Sequence, residues 1–174
     1  MRIFITIGLA LAIVGAVVYA VLESSSTSAS TPYSVSWYSF DQGLAEASKQ
    51  QKKLLVDVYT DWCSWCKKMD KEVYSDKRIV ELLNEHFVPV KLNAESSRKL
   101  TYNGQQFTER EFAAALGIDG YPTTVFFLPD AKPITRVPGF MEAKTFAKVL
   151  IYIGGDHYLS TSYDDFLLKH GSTQ

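Results

Sequence analysis

Runs of apolar residues alternate with amphipathic segments along most of the chain. Mostly apolar runs at residues 54–59, 87–92 and 123–128 are typical of strands that are buried on both faces, although the first contains one carboxylate, Asp57. A turn rich in proline and aspartate follows the third run and leads into a returning strand at residues 134–137. The pattern predicts an α/β fold with a mixed central β-sheet flanked by helices.

Helices are predicted between these strands from apolar spacing and from capping residues. Asp76 is a good N-cap, and Thr108-Glu109-Arg110-Glu111 is a capping box. The predicted helices cover residues 41–51, a segment beginning at the cysteine pair, and residues 77–87, 109–116, 142–153 and 162–169. Trp37-Tyr38 is expected on a short strand, and the polar residues 93–107 are expected to form a loop.

The amino terminus differs from the rest of the chain. Residues 3–22 are uncharged and long enough to cross a bilayer as a helix, so residues 1–22 are predicted to be a transmembrane anchor or a cleaved signal peptide. Residues 23–34 are rich in Ser and Thr and are predicted to be a linker. We therefore expect the domain at residues 35–170 to be periplasmic or otherwise extracytoplasmic, anchored to the inner membrane or secreted. A net charge of −1 gives no reason to expect nucleic-acid binding.

The two cysteines of the chain, Cys63 and Cys66, are two residues apart directly after the first buried run. At a helix N-terminus, backbone N–H groups favour the thiolate, so Cys63 is the expected attacking thiol and Cys66 the resolving thiol. A structural disulfide and half of a metal site remain alternatives. A loop this small constrains the unfolded chain little, and zinc normally takes four ligands, so the motif favours redox exchange without a metal or other cofactor.

Around this pair the sequence resembles the thioredoxin superfamily, over roughly residues 35–153. The likeness is carried by four separated motifs in the family's order. They are Leu55-Val56-Asp57 through Cys66-Lys67, Val90-Lys91-Leu92-Asn93, Gly120-Tyr121-Pro122-Thr123, and Gly139. Ser64-Trp65 replaces the Gly-Pro of thioredoxin between the cysteines.

A more specific resemblance is to the periplasmic C-terminal domain of membrane thiol:disulfide interchange reductases. Tyr59-Thr60-Asp61-Trp62-Cys63, Lys67-Lys68-Met69 and Gly139-Phe140-Met141-Glu142 carry it. In those enzymes the domain receives electrons through membrane cysteines and reduces periplasmic partners. The single apolar segment here has no cysteine, so the resemblance implies a separate membrane electron donor and disulfide-containing client proteins.

The resemblance also implies roles for individual residues. Asp57, if buried, has a raised pKa and accepts a proton from Cys66, and Lys91 lies near it. The alternatives are a solvated Asp57 at a strand end and an ordinary surface lysine.

Substrate contacts are expected from four more residues. The resemblance implies that Pro122 is cis, so that Tyr121 exposes its backbone to an extended client segment; the alternative is an ordinary tight turn. Trp62 and Trp65 are candidates for an apolar collar around the thiols, although an aromatic near a helix start often belongs to the core.

Together these features predict an extracytoplasmic thiol:disulfide oxidoreductase that works as a reductase. A disulfide oxidase or isomerase on the same fold, and a non-enzymatic copper-binding chaperone, remain alternatives.

Overall fold

The computed structural model describes residues 33–170. Residues 1–22, predicted to be an anchor or a signal peptide, lie outside the described residues. So does most of the predicted linker at residues 23–34. Within residues 33–170, none of the helices has the length and apolar character needed to cross a membrane.

A mixed four-stranded sheet forms the centre of the domain, as the apolar runs predict. The strands are β1 (Lys53–Tyr59), β2 (Phe87–Asn93), β5 (Thr123–Phe127) and β6 (Pro133–Pro138), arranged in the order β2-β1-β5-β6. β1 pairs with β2 in parallel, whereas β5 is antiparallel to both β1 and β6. The carboxyl end of β1 therefore lies beside the amino end of β5.

Helices cover both faces of this sheet. They are α1 (Phe40–Gln50), α2 (Ser64–Glu72), α3 (Lys77–His86), α4 (Glu109–Ala115), α5 (Ala143–Gly154) and α6 (Tyr163–His170), with a short 3₁₀ turn at His157–Leu159. The predicted caps are confirmed. The Asp76 carboxylate accepts hydrogen bonds from two backbone N–H groups at the start of α3, and Thr108 and Glu111 form the capping box of α4.

Alternation along β1 divides its side chains between two hydrophobic cores. Leu54, Val56 and Val58 belong to the core under α1 and α4, whereas Leu55 belongs to the core under α2, α3 and α5. Because side chains alternate along a strand, Asp57 points to the same face as Leu55. A carboxylate thus occupies a position where the pattern of a buried strand calls for an apolar residue.

The prediction that residues 93–107 form a loop is wrong. They contain most of a second, two-stranded sheet, formed by β3 (Lys99–Tyr102) and β4 (Gln105–Thr108). Asn103 and Gly104 connect the strands, both with positive φ, as a tight hairpin turn requires. Leu100 is buried in the core under α1 and α4, so the hairpin is packed on the domain despite its polar composition. At Trp37-Tyr38 the expected strand is reduced to a single bridge from Tyr38 to Val90.

Candidate active site

The cysteine pair lies at the end of β1, where α2 begins. Cys63 is the N-cap of α2, and its sulfur accepts a hydrogen bond of 3.0 Å from the backbone N–H of Cys66. The two residues are joined by a disulfide, and both are almost fully buried. The helix-terminal position predicted for Cys63 is confirmed. A thiolate there is stabilised by the unpaired N–H groups and by the helix dipole.

Two exposed tryptophans flank the buried pair. Trp62 is 64% exposed and Trp65 is 55% exposed, so neither belongs to the core. The ring of Trp62 lies edge-on to Tyr121 at a centroid distance of 5.9 Å, and that of Trp65 lies 5.3 Å from Phe140. This placement agrees with an apolar collar around the thiols, and contact with clients stays a prediction.

The loop before β5 lies at the same end of the sheet as the cysteine pair. The Tyr121–Pro122 peptide bond is cis, so the alternative of an ordinary turn is wrong. Val58 of β1 pairs with Thr123 of β5, which brings this loop beside the turn that carries the cysteines. The carbonyl oxygen of Pro122 accepts a hydrogen bond of 2.8 Å from Gly139, so the loops before β5 and after β6 are joined.

A buried carboxylate lies on β1, two residues before the strand ends. Asp57 is 1% exposed, so the alternative of a solvated aspartate is wrong. Its partner in the register of β2 is Lys91, and the ammonium nitrogen of Lys91 lies 2.5 Å from one carboxylate oxygen. The other oxygen has no hydrogen-bond partner among the described residues. Burial raises the pKa of Asp57, and the opposing effect of Lys91 does not cancel this.

Lys91 also contacts a second carboxylate, that of Asp70 on α2, at 2.5 Å. Burial alone lowers the pKa of Lys91, but the two carboxylates outweigh it and hold the pKa above its usual value. Three aromatic rings surround the ammonium group at 4.8–5.3 Å, and they belong to Trp37, Tyr59 and Tyr74. This arrangement stabilises a cation between Asp57 and solvent.

The sequence prediction missed Asp70 and Glu95, which contacts Trp62. A signal existed for Asp70, because it lies four residues after Cys66 and hence on the same face of α2. Glu95 lies in the segment expected to be an unstructured loop, and no local pattern connects it with Trp62.

The described residues hold no cluster of three or more His, Cys, Asp or Glu side chains that could bind a metal ion. The groups brought together at this end of the sheet are a disulfide-bonded cysteine pair, a buried carboxylate and exposed aromatic rings. Such a set is suited to thiol–disulfide exchange.

The fold and this site define a thioredoxin-like protein of the thiol:disulfide oxidoreductase type. Residues 40–154 match the model of the thioredoxin-like domain family, and the chain belongs to that family.

Comparisons with individual proteins agree with this assignment. The chain is 34% identical over 111 residues to the thiol:disulfide interchange protein DsbD of Pseudoalteromonas atlantica, and 36% identical over 111 residues to that of Citrobacter koseri. Each match covers 62% of this chain but only 17% of the relative. Among solved structures, a thioredoxin from Thermus thermophilus superposes with a TM-score of 0.57 at 27% identity, over 69% of this chain and 87% of that one.

Proposed function

We propose that this chain is an extracytoplasmic thiol:disulfide oxidoreductase that reduces disulfides of client proteins through Cys63 and Cys66. The observation that carries the proposal is the position of Cys63 as the N-cap of α2, with its sulfur bonded to Cys66. Homology to the thiol:disulfide interchange proteins supports it.

The first step uses the reduced pair. The Cys63 thiolate attacks one sulfur of a client disulfide, a mixed disulfide forms, and the other client sulfur leaves as a thiolate. The thiolate is the reactive form, and the N–H groups at the start of α2 favour it at Cys63.

The second step releases the client. Cys66 loses its proton and attacks the Cys63 sulfur, the second client thiolate leaves, and the Cys63–Cys66 disulfide forms. We assign the proton to Asp57, since its raised pKa lets the carboxylate hold a proton closer to neutral pH than an exposed aspartate does. Lys91 is assigned the stabilisation of Asp57 in its ionised form.

Client docking is assigned to the surface beside the pair. Trp62 and Trp65 supply exposed aromatic area, and the backbone of Tyr121, held by the loop at Pro122, supplies pairing for an extended segment. No dissociable organic cofactor is needed, because the dithiol itself carries two electrons.

The direction of electron flow and the location rest on the resemblance to the interchange reductases and on the apolar residues 3–22. Each turnover as a reductase leaves the pair oxidised, so the cycle requires a separate dithiol donor, which we place in the membrane. A reduction potential near −270 mV, like that of thioredoxin, is expected, whereas a value near −120 mV indicates an oxidase.

Turnover with a disulfide-bonded protein such as insulin tests the function. With dithiothreitol as the electron source, the wild-type protein is expected to accelerate insulin reduction and Cys63→Ser is expected to be inactive. Equal rates for the wild type, Cys63→Ser and the uncatalysed reaction refute the proposal.

A further inference from the structure

The segment between β2 and the β3–β4 hairpin contacts the turn at residues 60–62, which directly precedes Cys63. Ala94 donates a backbone hydrogen bond of 2.9 Å to the carbonyl oxygen of Tyr59 at the end of β1. Next to it, the carboxylate of Glu95 accepts a hydrogen bond of 3.0 Å from the indole nitrogen of Trp62. These two contacts join the segment to both ends of the turn at residues 60–62.

Glu95 is exposed, yet its backbone is fixed on both sides. Its N–H donates to the side chain of Asn93 at 2.9 Å, and its carbonyl oxygen accepts from the guanidinium of Arg110 at 2.8 Å. Arg110 lies in the first turn of α4, and its backbone N–H donates to Ser96 at 3.2 Å. The Glu95 carboxylate is therefore presented to Trp62 from a segment that is anchored to α4.

A second anchor holds the far end of this segment. Arg98 accepts a backbone hydrogen bond from Glu109, and its guanidinium pairs with the buried carboxylate of Glu109 at 2.8 Å. Because the segment is bonded to β1 at Ala94 and to α4 from Glu95 to Arg98, the position of Glu95 follows that of the domain body.

The hydrogen bond to Glu95 restrains the orientation of Trp62. The side chain is 64% exposed and its ring packs edge-on against Tyr121, so burial alone does not select its rotamer. Ordering an exposed side chain when a client binds costs conformational entropy, and a ring that is already held avoids part of this cost.

We propose that Glu95 is a positioning residue, which holds the indole of Trp62 in the orientation presented to clients beside Cys63. The inference rests on the proposed function and adds a role for the segment that precedes the hairpin. Glu95 does not touch the reacting sulfurs, so its effect is confined to substrates large enough to contact Trp62.

Two substitutions separate the hydrogen bond from the charge. Glu95→Ala removes the acceptor, whereas Glu95→Gln keeps an acceptor oxygen and removes the charge. Glu142→Ala is the matched control, because Glu142 is an exposed acid shortly after Phe140 that makes no side-chain cap on α5.

Kinetics give the first measurement. Mixed-disulfide formation by the reduced variants is timed with oxidised insulin and with the small disulfide 4,4′-dithiodipyridine. Glu95→Ala is expected to slow the insulin reaction about five-fold, the factor for one partly exposed hydrogen bond, and to leave the small disulfide unaffected. Glu95→Gln and Glu142→Ala are expected to match the wild type. Equal slowing with both substrates, no slowing, or failure of Gln to restore the rate overturns the proposal.

NMR of the tryptophan indoles gives the second measurement, with the Trp62 N–H signal assigned by Trp62→Phe. In the wild type and Glu95→Gln this proton is expected to exchange more slowly with water than in Glu95→Ala. An unchanged exchange rate in Glu95→Ala refutes the positioning role. A wild type that does not react with insulin refutes the proposed function instead, and the NMR comparison still decides whether Glu95 holds Trp62.

Discussion

Replacing Asp57 by Asn is expected to change how the stability of the oxidised domain depends on pH. Asp57 is 1% exposed on β1, and its pKa is raised by burial despite the Lys91 ammonium 2.5 Å away. In the unfolded chain the same carboxyl has an ordinary pKa of about 3.9. Between these two values the folded protein keeps a proton that the unfolded chain has lost.

The sign and size of the effect follow from linkage. Since the folded state binds one more proton in this window, the free energy of unfolding falls by about 1.4 kcal/mol for each pH unit above the unfolded pKa. The loss ends once pH exceeds the folded pKa of Asp57, and below the unfolded pKa the stabilisation is complete. Asn has the same shape and does not titrate, so Asp57→Asn lacks this contribution.

Urea unfolding of both proteins from pH 4 to pH 8 measures the difference. The wild type is expected to lose stability relative to Asp57→Asn as pH rises, with a plateau above the folded pKa. Asp61→Asn, at an exposed position, is the control and is expected to run parallel to the wild type. If the free energy of unfolding changes with pH in the same way for the wild type and Asp57→Asn, the conclusion that Asp57 has a raised pKa in the folded protein is refuted.

Three further changes test other parts of the structure. Leu100→Ala is expected to lower the free energy of unfolding in urea by about 2–5 kcal/mol, because Leu100 is buried in the core under α1 and α4. A change below about 1 kcal/mol contradicts a hairpin packed on the domain. Arg98→Ala is expected to cost about 1–3 kcal/mol by leaving the buried Glu109 unpaired, and adding Glu109→Met is expected to recover most of it. Asp70→Asn removes a negative charge that raises the pKa of Asp57, so the pH-dependent loss of stability should end at a lower pH. An endpoint at the same pH contradicts the coupling of Asp57, Lys91 and Asp70.

Much of the fold could be predicted from the sequence because its signals are local. The apolar runs of β1 and β2, the N-cap at Asp76 and the capping box at Thr108 each act within a few residues, and the structure confirms them. The β3–β4 hairpin was missed although Asn103-Gly104 is a strong turn signal, because its strands are short and mostly polar.

The site was predicted less completely, since its contacts join residues that are far apart in the chain. The hydrogen bond from Lys91 to Asp70 spans 21 residues, and that from Trp62 to Glu95 spans 33. Hydrophobic periodicity says which face of an element is buried, but not which polar groups from different elements meet. Cys63, Cys66 and Pro122 were found through motifs, whereas Asp70 and Glu95 belong to none.

Trapping tests the central claim, attack by Cys63 and release by Cys66, most directly. Reduced Cys66→Ser and Cys63→Ser are each mixed with a disulfide-bonded protein, and mixed disulfides are quantified by intact-mass spectrometry. The account predicts a persistent adduct on Cys63 of the Cys66→Ser variant and little or none with Cys63→Ser. An adduct that forms preferentially with Cys63→Ser, or with neither variant, contradicts it.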